Sequence, residues 1–321
     1  MYRNGASGKL TIKMLLNVTY DAILGSIPLL GNIFDFFNKA NEKNIKLLRE
    51  HYYENKHQGS GVGILLTIGI ILFAFVLVFL FLMYALTLCT QKPIMLEILY
   101  RDEELIAINK PHGLLVHRSS IAADTSEFAL QKLRDQIGQA VYPAHRLDRK
   151  TGGVLLFSLN KEMDSLIQQA FANNLVKKEY LAILRGHPED QGTIDYPLKK
   201  ENGVLQDALT HYQLLRKAEI DLPFGKHPTS RYSLVKAMPQ TGRMHQLRRH
   251  FAHIFHPIIG DRPHGCNKQN KLWKETFNHD SMLLHASQLR FIHPKTGKEI
   301  LIQAELQPEF QKALQILNIS L

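Results

Sequence analysis

The chain has 321 residues, a length that corresponds to about two domains. Lysine and arginine outnumber aspartate and glutamate by 39 to 29, and the net charge of +10 suits a nucleic acid or an anionic membrane surface as partner. The two cysteines, Cys89 and Cys266, are far apart, which excludes a disulfide framework and a cysteine-based zinc site and favours a reducing cytoplasm.

The first apolar region, Leu10–Phe37, is interrupted by polar and charged residues. It is predicted to form two short helices that break at Ser26–Pro28 and that lie in the membrane interface or re-enter the bilayer. Lys39–Lys56 carries basic residues at steps of three or four, which predicts a helix with a solvated face. The turn at 27–32 and the charged helix after it resemble a small family of bacterial membrane proteins of unknown function. This resemblance implies a location and no chemistry.

The second apolar region, Val62–Leu88, contains no charged residue and no proline. As a helix it would be about 40 Å long, whereas the hydrocarbon core of a bilayer is about 30 Å thick. A helix in a protein core is rarely this long and this apolar. Its position and length also exclude a secretory signal peptide. We therefore predict a transmembrane helix at about 62–88.

From Met95 the pattern changes to short strands and helices that do not alternate regularly. Strands are predicted at Leu96–Tyr100, Leu105–Asn109, Gly153–Leu159, Lys178–Arg185, Thr210–Ala218, Arg231–Met238, Leu283–Ile292 and Glu299–Leu306. Helices are predicted at Ser126–Ile137, Lys161–Asn173 (capped by Asn160), Met244–Phe255 and Pro308–Leu317. This order predicts an α+β fold with a mixed, largely antiparallel sheet and flanking helices. The chain is thus divided into a membrane-associated helical region, 1–94, and a soluble domain, 95–321.

The run His145–Arg149 places one carboxylate, Asp148, between Arg146 and Arg149. Nearby positive charge favours the ionised form of a carboxyl group, so Asp148 is a candidate nucleophile beside a bound polyanion. An ordinary surface ion pair in a turn is one alternative. A glycosidase nucleophile is another, but that chemistry needs a second carboxylate at a set distance, and this segment supplies arginines instead.

The predicted helix Met244–Phe255, with the residue on either side of it, concentrates basic side chains without an acid. They are Arg243, Arg248 and Arg249, together with His245, His250, His253 and His256. Such a cluster predicts a surface that faces phosphates. The spacing of the histidines is not a standard zinc pattern, so no metal site is expected.

Four blocks after Met95 resemble the large family of pseudouridine synthases, which modify single uridines in ribosomal and transfer RNA. The blocks are Asn109–His117, His145–Gly153, Lys177–Gly186 and Thr241–Arg248 with its continuation His256–Asp261. The family usually has serine where Gly152 stands, a change that leaves the turn possible. Within the family, the details are most similar to the branch that modifies tRNA, and the N-terminal region lies outside this resemblance.

The resemblance implies that Asp148 is the nucleophile, that Arg248 is its ion-pair partner, and that Tyr180 lies against the uracil and handles a proton. It also implies that Arg146 fills the gap left by the flipped uridine. The other side chains assigned to substrate binding are His145, Arg149, Arg243, His245 and Arg249. Asp261, in the last block, has no comparable cationic context in the sequence.

The implied partner is tRNA, with uridine 65 as the target. No cofactor is expected, because the reaction involves no redox change and no phosphate activation. The protein is expected to be a monomer whose catalytic domain is cytoplasmic and tethered to the inner membrane by residues 62–88. Ribosomal RNA as the substrate, and a membrane scaffold with a non-catalytic RNA-binding domain, are the alternatives.

The distribution of basic residues conflicts with this location. Five lysines and arginines lie at 39–56, before the predicted span, and three lie at 92–110, after it. The positive-inside rule then favours a cytoplasmic N-terminal side, so a single span would place the soluble domain outside the cytoplasm. The sequence alone leaves the membrane topology open.

Overall fold

A computed structural model of the chain describes residues 5–25, 33–90, 95–117 and 127–320, which divide into two compact units, Met1–Pro93 and Ile94–Leu321. In its described residues the first unit is helical. Its helices are α1 Gly8–Gly25, α2 Ile33–Glu54 and α3 Val62–Thr90.

Polar contacts join α1, α2 and the segment after α2. Asn17 Nδ2 donates a hydrogen bond to Asn44 Oδ1 at 2.8 Å, and His57 Nε2 lies 2.7 Å from Glu50 Oε2. The predicted break at Ser26–Pro28 lies outside the described residues. Residues 33–37, predicted to form part of a separate apolar helix, continue without interruption into the polar helix, because no proline or glycine separates them.

The helix α3 is apolar, and its side chains are exposed along most of its length. In the part of the chain that the structure describes, Val62–Ala85 is the one helical stretch long and apolar enough to cross a membrane, and none of it is buried within the protein. Phe75, for example, is 76% exposed. In a soluble protein a helix that is apolar all round is normally buried, so this exposure is consistent with the predicted span.

The second unit contains the remaining elements of the described chain. Its strands are β1 Glu97–Arg101, β2 Leu105–Lys110, β3 Tyr142–Pro143, β4 Gly152–Ser158, β5 Lys177–Arg185, β6 Gln191–Asp195, β7 Leu198–Lys199, β8 Leu205–Gln206, β9 Leu209–Ile220, β10 Ser230–Pro239, β11 Leu284–Ile292 and β12 Glu299–Gln303. Its helices are α4 Ala129–Ile137, α5 Lys161–Ala172, α6 Gln246–His253, α7 Asn267–Phe277 and α8 Pro308–Ile316.

A ten-stranded sheet runs through this unit in the order β1-β2-β4-β11-β5-β10-β9-β6, with β3 paired to β4 and β12 paired to β11, while β7 and β8 pair separately. Its strand pairs are antiparallel except β4 with β11, which are parallel and align His285 with Gly152 and Ala286 with Gly153. The predicted α+β fold with a mixed, largely antiparallel sheet is confirmed.

Helices cover both faces of the sheet. Successive residues of a strand point to opposite sides, so a strand with apolar residues at consecutive positions contributes to the core on each face. In β2, Ile106 and Ile108 pack in the core with α4, whereas Leu105 and Ala107 pack in the core with α5. Farther along the sheet, α6 packs against one core cluster and α7 and α8 against another. Tyr180 of β5 packs against both the α4 and the α6 clusters, so it lies where these two meet.

Several short elements differ from the sequence prediction. The strands β3, β6, β7 and β8 and the helix α7 were not predicted. The sequence of α7 has few apolar residues. The helix is anchored by Trp273, which is fully buried and whose Nε1–H donates to the Tyr232 hydroxyl at 2.8 Å.

The predicted cap of α5 is confirmed, since Asn160 Oδ1 accepts the Met163 N–H at 2.9 Å. The predicted start of α4 at Ser126 lies outside the described residues.

Candidate active site

The loop between β3 and β4 carries Asp148. Within it, the Thr151 N–H donates to the Asp148 carbonyl at 3.0 Å and closes a turn. The chain then enters β4 through Gly153, which has a φ of +107°. A Cβ at Gly153 would lie 2.1 Å from the Ala286 carbonyl oxygen of β11, so only glycine allows the two strands to approach this closely. The parallel contact between β4 and β11 therefore fixes where the loop meets the sheet.

Arg248 joins Asp148 to a second carboxylate. Its Nη1 donates to Asp148 Oδ2 at 2.8 Å, while its Nε and Nη2 donate to the two oxygens of Asp261 at 2.8 and 2.7 Å. Asp261 is 1% exposed and Arg248 is 7% exposed. The bidentate pair is therefore buried, and it holds the guanidinium in the orientation that leaves one donor for Asp148.

His245 approaches the same carboxylate from the residue before α6. Its backbone is left-handed, with a φ of 54°, which explains why α6 begins two residues later than predicted. Its Nε2 lies 3.9 Å from Asp148 Oδ2, and its Nδ1 lies 3.0 Å from His264 Nε2. Burial lowers the pKa of both His245 and His264 below the usual value for histidine, so both rings are neutral at neutral pH.

Tyr180 lies on β5, where it is in register with Ala237 of β10 and Ala286 of β11. Burial raises the pKa of its phenol above the usual value, and the negative charge of Asp148 raises it further. The hydroxyl therefore remains protonated at physiological pH and can donate a hydrogen bond.

A cavity of about 600 Å³ opens beside these residues, a volume typical of small-ligand sites. The charged and polar side chains that line it include Arg146, Asp148, Arg149, Lys178, Tyr180, Arg243 and His245. A smaller cavity of about 120 Å³ shares Asp148 and Tyr180 with the first and is also lined by Arg248. Positive charge exceeds negative charge around the cavity, which suits a ligand that carries phosphates.

Two residues of the Asp148 loop that were predicted to bind substrate differ in their surroundings. Arg146 is exposed at the cavity, and the structure gives its guanidinium no hydrogen bond or ion pair with any described residue. His145 also lines the cavity, but its ring stacks on Phe171 and its Nε2 accepts the Leu156 N–H at 3.1 Å. Burial lowers the pKa of His145 to about 3, so this ring is a neutral acceptor in the loop.

The three remaining arginines predicted to bind substrate all donate to backbone carbonyls, at 3.0–3.1 Å. Arg149 and Arg243 line the cavity, whereas Arg249 lies on α6 outside it. The structure thus brings two of these three cations to the cavity.

Comparisons with known proteins identify the family. A tRNA pseudouridine synthase C from Vibrio vulnificus (strain CMCP6) is 48% identical over 232 residues, which cover 69% of this chain and 95% of that protein. Another from Haemophilus ducreyi is 51% identical over 226 residues, which cover 67% of this chain and 93% of that protein. Residues 104–253 match the family described as RNA pseudouridylate synthase. The chain belongs to the RNA pseudouridylate synthase family. This synthase is an isomerase, and its resemblance to the tRNA-modifying branch is confirmed.

A solved structure shares the fold of the synthase. Human RNA pseudouridylate synthase domain containing 4 matches with a TM-score of 0.54 and 26% identity, covering 70% of this chain and 94% of that one. Residues 1–52 match a different family, described as Domain of unknown function (DUF4112). This second match confirms the resemblance noted for the N-terminal region.

The basic helix of the synthase does not present all its cations to one surface, which corrects the sequence prediction. Arg248 is buried against Asp261. His250 is fully buried, with Nε2 3.1 Å from the Tyr196 carbonyl, and His256 Nδ1 lies 2.9 Å from a backbone carbonyl. A short helix that packs one face on a sheet turns some of its basic residues inward. Over the described ranges, no group of three potential ligands is placed to hold a metal ion.

One carboxylate of the synthase site is not predicted from the sequence. Asp261 lacks a doubly cationic context in the sequence, yet the fold supplies Arg248 as a buried bidentate partner. Its position in the matched block His256–Asp261, directly after the arginine-rich helix, is the feature of the sequence that could have indicated this role.

Two lysines of the site are also not predicted from the sequence. Lys178 lines both cavities, donates to the Thr241 carbonyl at 3.3 Å, and has its pKa lowered to about 8 by burial. Lys110 is fully buried, and its Nζ donates to the carbonyls of Pro111, Leu114 and Arg149 at 2.8–3.3 Å. It thereby ties the Asp148 loop to the loop after β2. The position of Lys110 at the end of an apolar strand could have indicated this linking role, since a buried amine needs hydrogen-bond acceptors.

Proposed function

We propose that this synthase converts a uridine of tRNA to pseudouridine, that the target is uridine 65, and that Asp148 is the nucleophile. The relatives named tRNA pseudouridine synthase C support tRNA as the substrate class. The observation that carries the proposal for the site is the Asp148 carboxylate, which a buried arginine holds at the wall of the cavity.

The chemistry asked of the site is limited. The bond between C1′ of the ribose and N1 of uracil breaks, and a bond forms between C1′ and C5 of the same ring. C5 loses a proton and N1 gains one, so atoms and electrons balance without a cofactor or a redox step. A carboxylate, a pocket that retains the detached ring and a group that handles the proton are sufficient.

Asp148 has one oxygen available for this chemistry. Its Oδ2 accepts the hydrogen bond from Arg248, whereas its Oδ1 accepts none from the part of the chain that the structure describes. Because Asp261 fixes Arg248, the carboxylate keeps one orientation toward the cavity. Such preorganisation lowers the cost of reaching the reactive geometry.

Tyr180 and Arg146 are proposed to handle the base. Tyr180 offers an aromatic face and a protonated hydroxyl to a uracil bound in the cavity. A uridine within a folded RNA must leave its stack to reach Asp148, and the uncommitted guanidinium of Arg146 is suited to occupy the vacated position. Arg149, Arg243 and Arg249 are proposed to contact phosphates of the RNA.

We further propose that α3 anchors the protein in the inner membrane and that residues 95–321 act as the catalytic domain in the cytoplasm. The exposed apolar surface of Val62–Ala85 supports the anchor. The matched blocks all lie after Met95, which supports a division of labour between the two units. This arrangement requires a topology that the positive-inside rule alone does not favour.

Mapping pseudouridine in total RNA from a strain that lacks this gene tests the proposed substrate. We expect one tRNA uridine to lose its modification and to regain it when the wild-type gene, but not the Asp148→Asn gene, is returned. Loss of a ribosomal RNA pseudouridine instead would show that the substrate is ribosomal. No change in any pseudouridine would favour the non-catalytic scaffold.

A further inference from the structure

The loop after α6 holds His264 in a fixed position. Gly265 admits no side chain, because an added Cβ would lie 2.1 Å from the Asp261 carbonyl oxygen. Asn270 of α7 donates from Nδ2 to the same carbonyl at 2.8 Å. The backbone N–H of His264 donates to Asp261 Oδ1 at 3.3 Å. The carboxylate that orients Arg248 therefore also orients this loop.

The contact between His264 and His245 restricts which nitrogen of each ring can carry a proton. His245 Nδ1 and His264 Nε2 are 3.0 Å apart. Between two neutral rings at this distance, one of these nitrogens donates an N–H and the other accepts it. If His245 carried that proton on Nδ1, the lone pair on its Nε2 would face Asp148 Oδ2 at 3.9 Å, which is electrostatically unfavourable. If His264 Nε2 carries the proton, His245 is protonated on Nε2 and directs an N–H toward the carboxylate.

We infer that His264 is a positioning residue of the synthase: it donates from Nε2 to His245 Nδ1 and so holds His245 in the tautomer that directs its Nε2–H at Asp148. The inference rests on the proposed role of Asp148. His245 then places a neutral N–H dipole 3.9 Å from Asp148 Oδ2, which is longer than a hydrogen bond, in addition to the charged hydrogen bond from Arg248. His264 contributes without lining either of the two cavities beside Asp148.

The charged groups around the pair are compatible with two neutral rings. Asp148 comes from the loop between β3 and β4, Arg248 and Arg249 come from α6, and Asp261 comes from the loop after it. The carboxylates raise the pKa of the two rings and the guanidiniums lower it, so their effects oppose each other. Desolvation is the largest effect on both rings and lowers the pKa of each. Each neutral ring carries its proton on one of its two nitrogens, and the contacts with His264 and Asp148 favour Nε2 for His245.

The first test compares His264→Ala with His264→Gln in the full chain, using His227→Ala in the exposed β9–β10 connection as the matched control. We expect the single-turnover rate of His264→Ala to fall by roughly tenfold, the lower end of the loss found when the partner that orients a metal-bound histidine is removed. His264→Gln should recover most of the rate, because its amide N–H can replace the lost donor. Affinity for tRNA should not change, and His227→Ala should match the wild type. Equal rates for His264→Ala and the wild type would overturn the inference.

The second test observes the tautomer without RNA. In protein labelled with ¹⁵N-histidine, the His245 signals of the wild type should show a protonated Nε2, and those of His264→Ala should show a mixture of tautomers. A wild-type proton on Nδ1 would contradict the inference. Failure of the proposed nucleophile is separately visible, since Asp148→Asn would then retain turnover whatever tautomer His245 adopts.

Discussion

At the scale of single residues, the local sequence predicts candidate side chains but not how they are held. Asp148 and Arg248 are 100 positions apart, and only the matched blocks, not their neighbours in the chain, suggested that they would meet. The sequence predicts no role for Asp261, because the residues next to it do not surround it with positive charge. Its partner comes from another element, so the buried pair with Arg248 depends on the tertiary fold. No site role is predicted for Lys110 or His264, because their partners also come from other elements.

Replacing Asp148 with asparagine tests the nucleophile. The amide keeps the size of the side chain and can still accept a hydrogen bond from Arg248, so the fold and the RNA-binding surface should persist. An amide is not a nucleophile at carbon, so we expect isomerisation to be lost. Release of tritium from [5-³H]uridine-labelled tRNA measures turnover, and fluorescence anisotropy measures binding. Turnover by the purified variant would contradict the assignment.

Replacing Arg249 with alanine tests a phosphate contact. Arg249, on α6, donates a hydrogen bond to the Lys199 carbonyl and lies outside the cavity, so the substitution should spare the chemical step. We expect weaker tRNA binding, a salt-dependence slope that falls by about one, and a normal single-turnover rate at saturating protein. Arg216→Ala, on β9, is the matched control. A slope equal to that of the control would show that Arg249 makes no phosphate contact.

At the scale of elements, periodicity predicted the strands with long apolar runs and the helices with clear amphipathic spacing. Residues Val154–Phe157 of β4 are buried, as their uninterrupted apolar sequence indicated. The two-residue strands β7 and β8 have too few residues to show a period, and β6 has a single buried residue, Ile194, so the pairing of all three depends on neighbouring strands. The parallel pairing of β4 with β11 also could not be predicted, because its strands are separated by more than 100 residues. That pairing nevertheless places the Asp148 loop.

The β4–β11 junction should be intolerant of any side chain at Gly153. Gly153→Ala combines a positive φ with a Cβ placed 2.1 Å from the Ala286 carbonyl, so the strands must separate. Gly138→Ala is the matched control, since Gly138 has a φ of +69° but open space around its Cβ. We expect Gly138→Ala to cost about 1 kcal/mol and Gly153→Ala to cost substantially more. Denaturant unfolding followed by the fluorescence of Trp273, the single tryptophan, measures both. Equal costs would show that the junction can relax.

A buried histidine on β11 should make stability depend on pH. His285 is 1% exposed, its Nδ1 has no hydrogen-bond partner in the described chain, and burial lowers its pKa to about 4. Between about pH 6.5 and 4 the unfolded state binds a proton that the folded state does not, so the free energy of unfolding falls as pH decreases. The loss should reach about 3 kcal/mol at pH 4. His285→Leu should remove this contribution, and equal pH slopes for wild type and variant would refute it.

At the scale of the whole molecule, the composition and the hydropathy pattern of the sequence distinguish two kinds of surface. The exposed apolar helix α3 belongs to one compact unit, and the cavity with its excess of cations belongs to the other. The fold class followed from the order of elements, and the family followed from blocks that lie wholly in the second unit. Charge counts could not fix the topology, because the positive-inside rule compares a few residues whose bias other forces can override.

Removing residues 1–94 tests whether the first unit serves only for location. The second unit has its own core and contains every matched block, so we expect residues 95–321 to fold, to leave the membrane fraction and to modify the same uridine. A full-length variant with Leu72→Lys and Phe73→Lys is the matched control, because two charges at the centre of α3 oppose insertion while the rest of the chain is retained. Fractionation and pseudouridine mapping of both proteins in the deletion strain give the comparison. If the truncated protein folds but leaves the uridine unmodified while the double lysine variant modifies it, the first unit takes part in catalysis or substrate delivery.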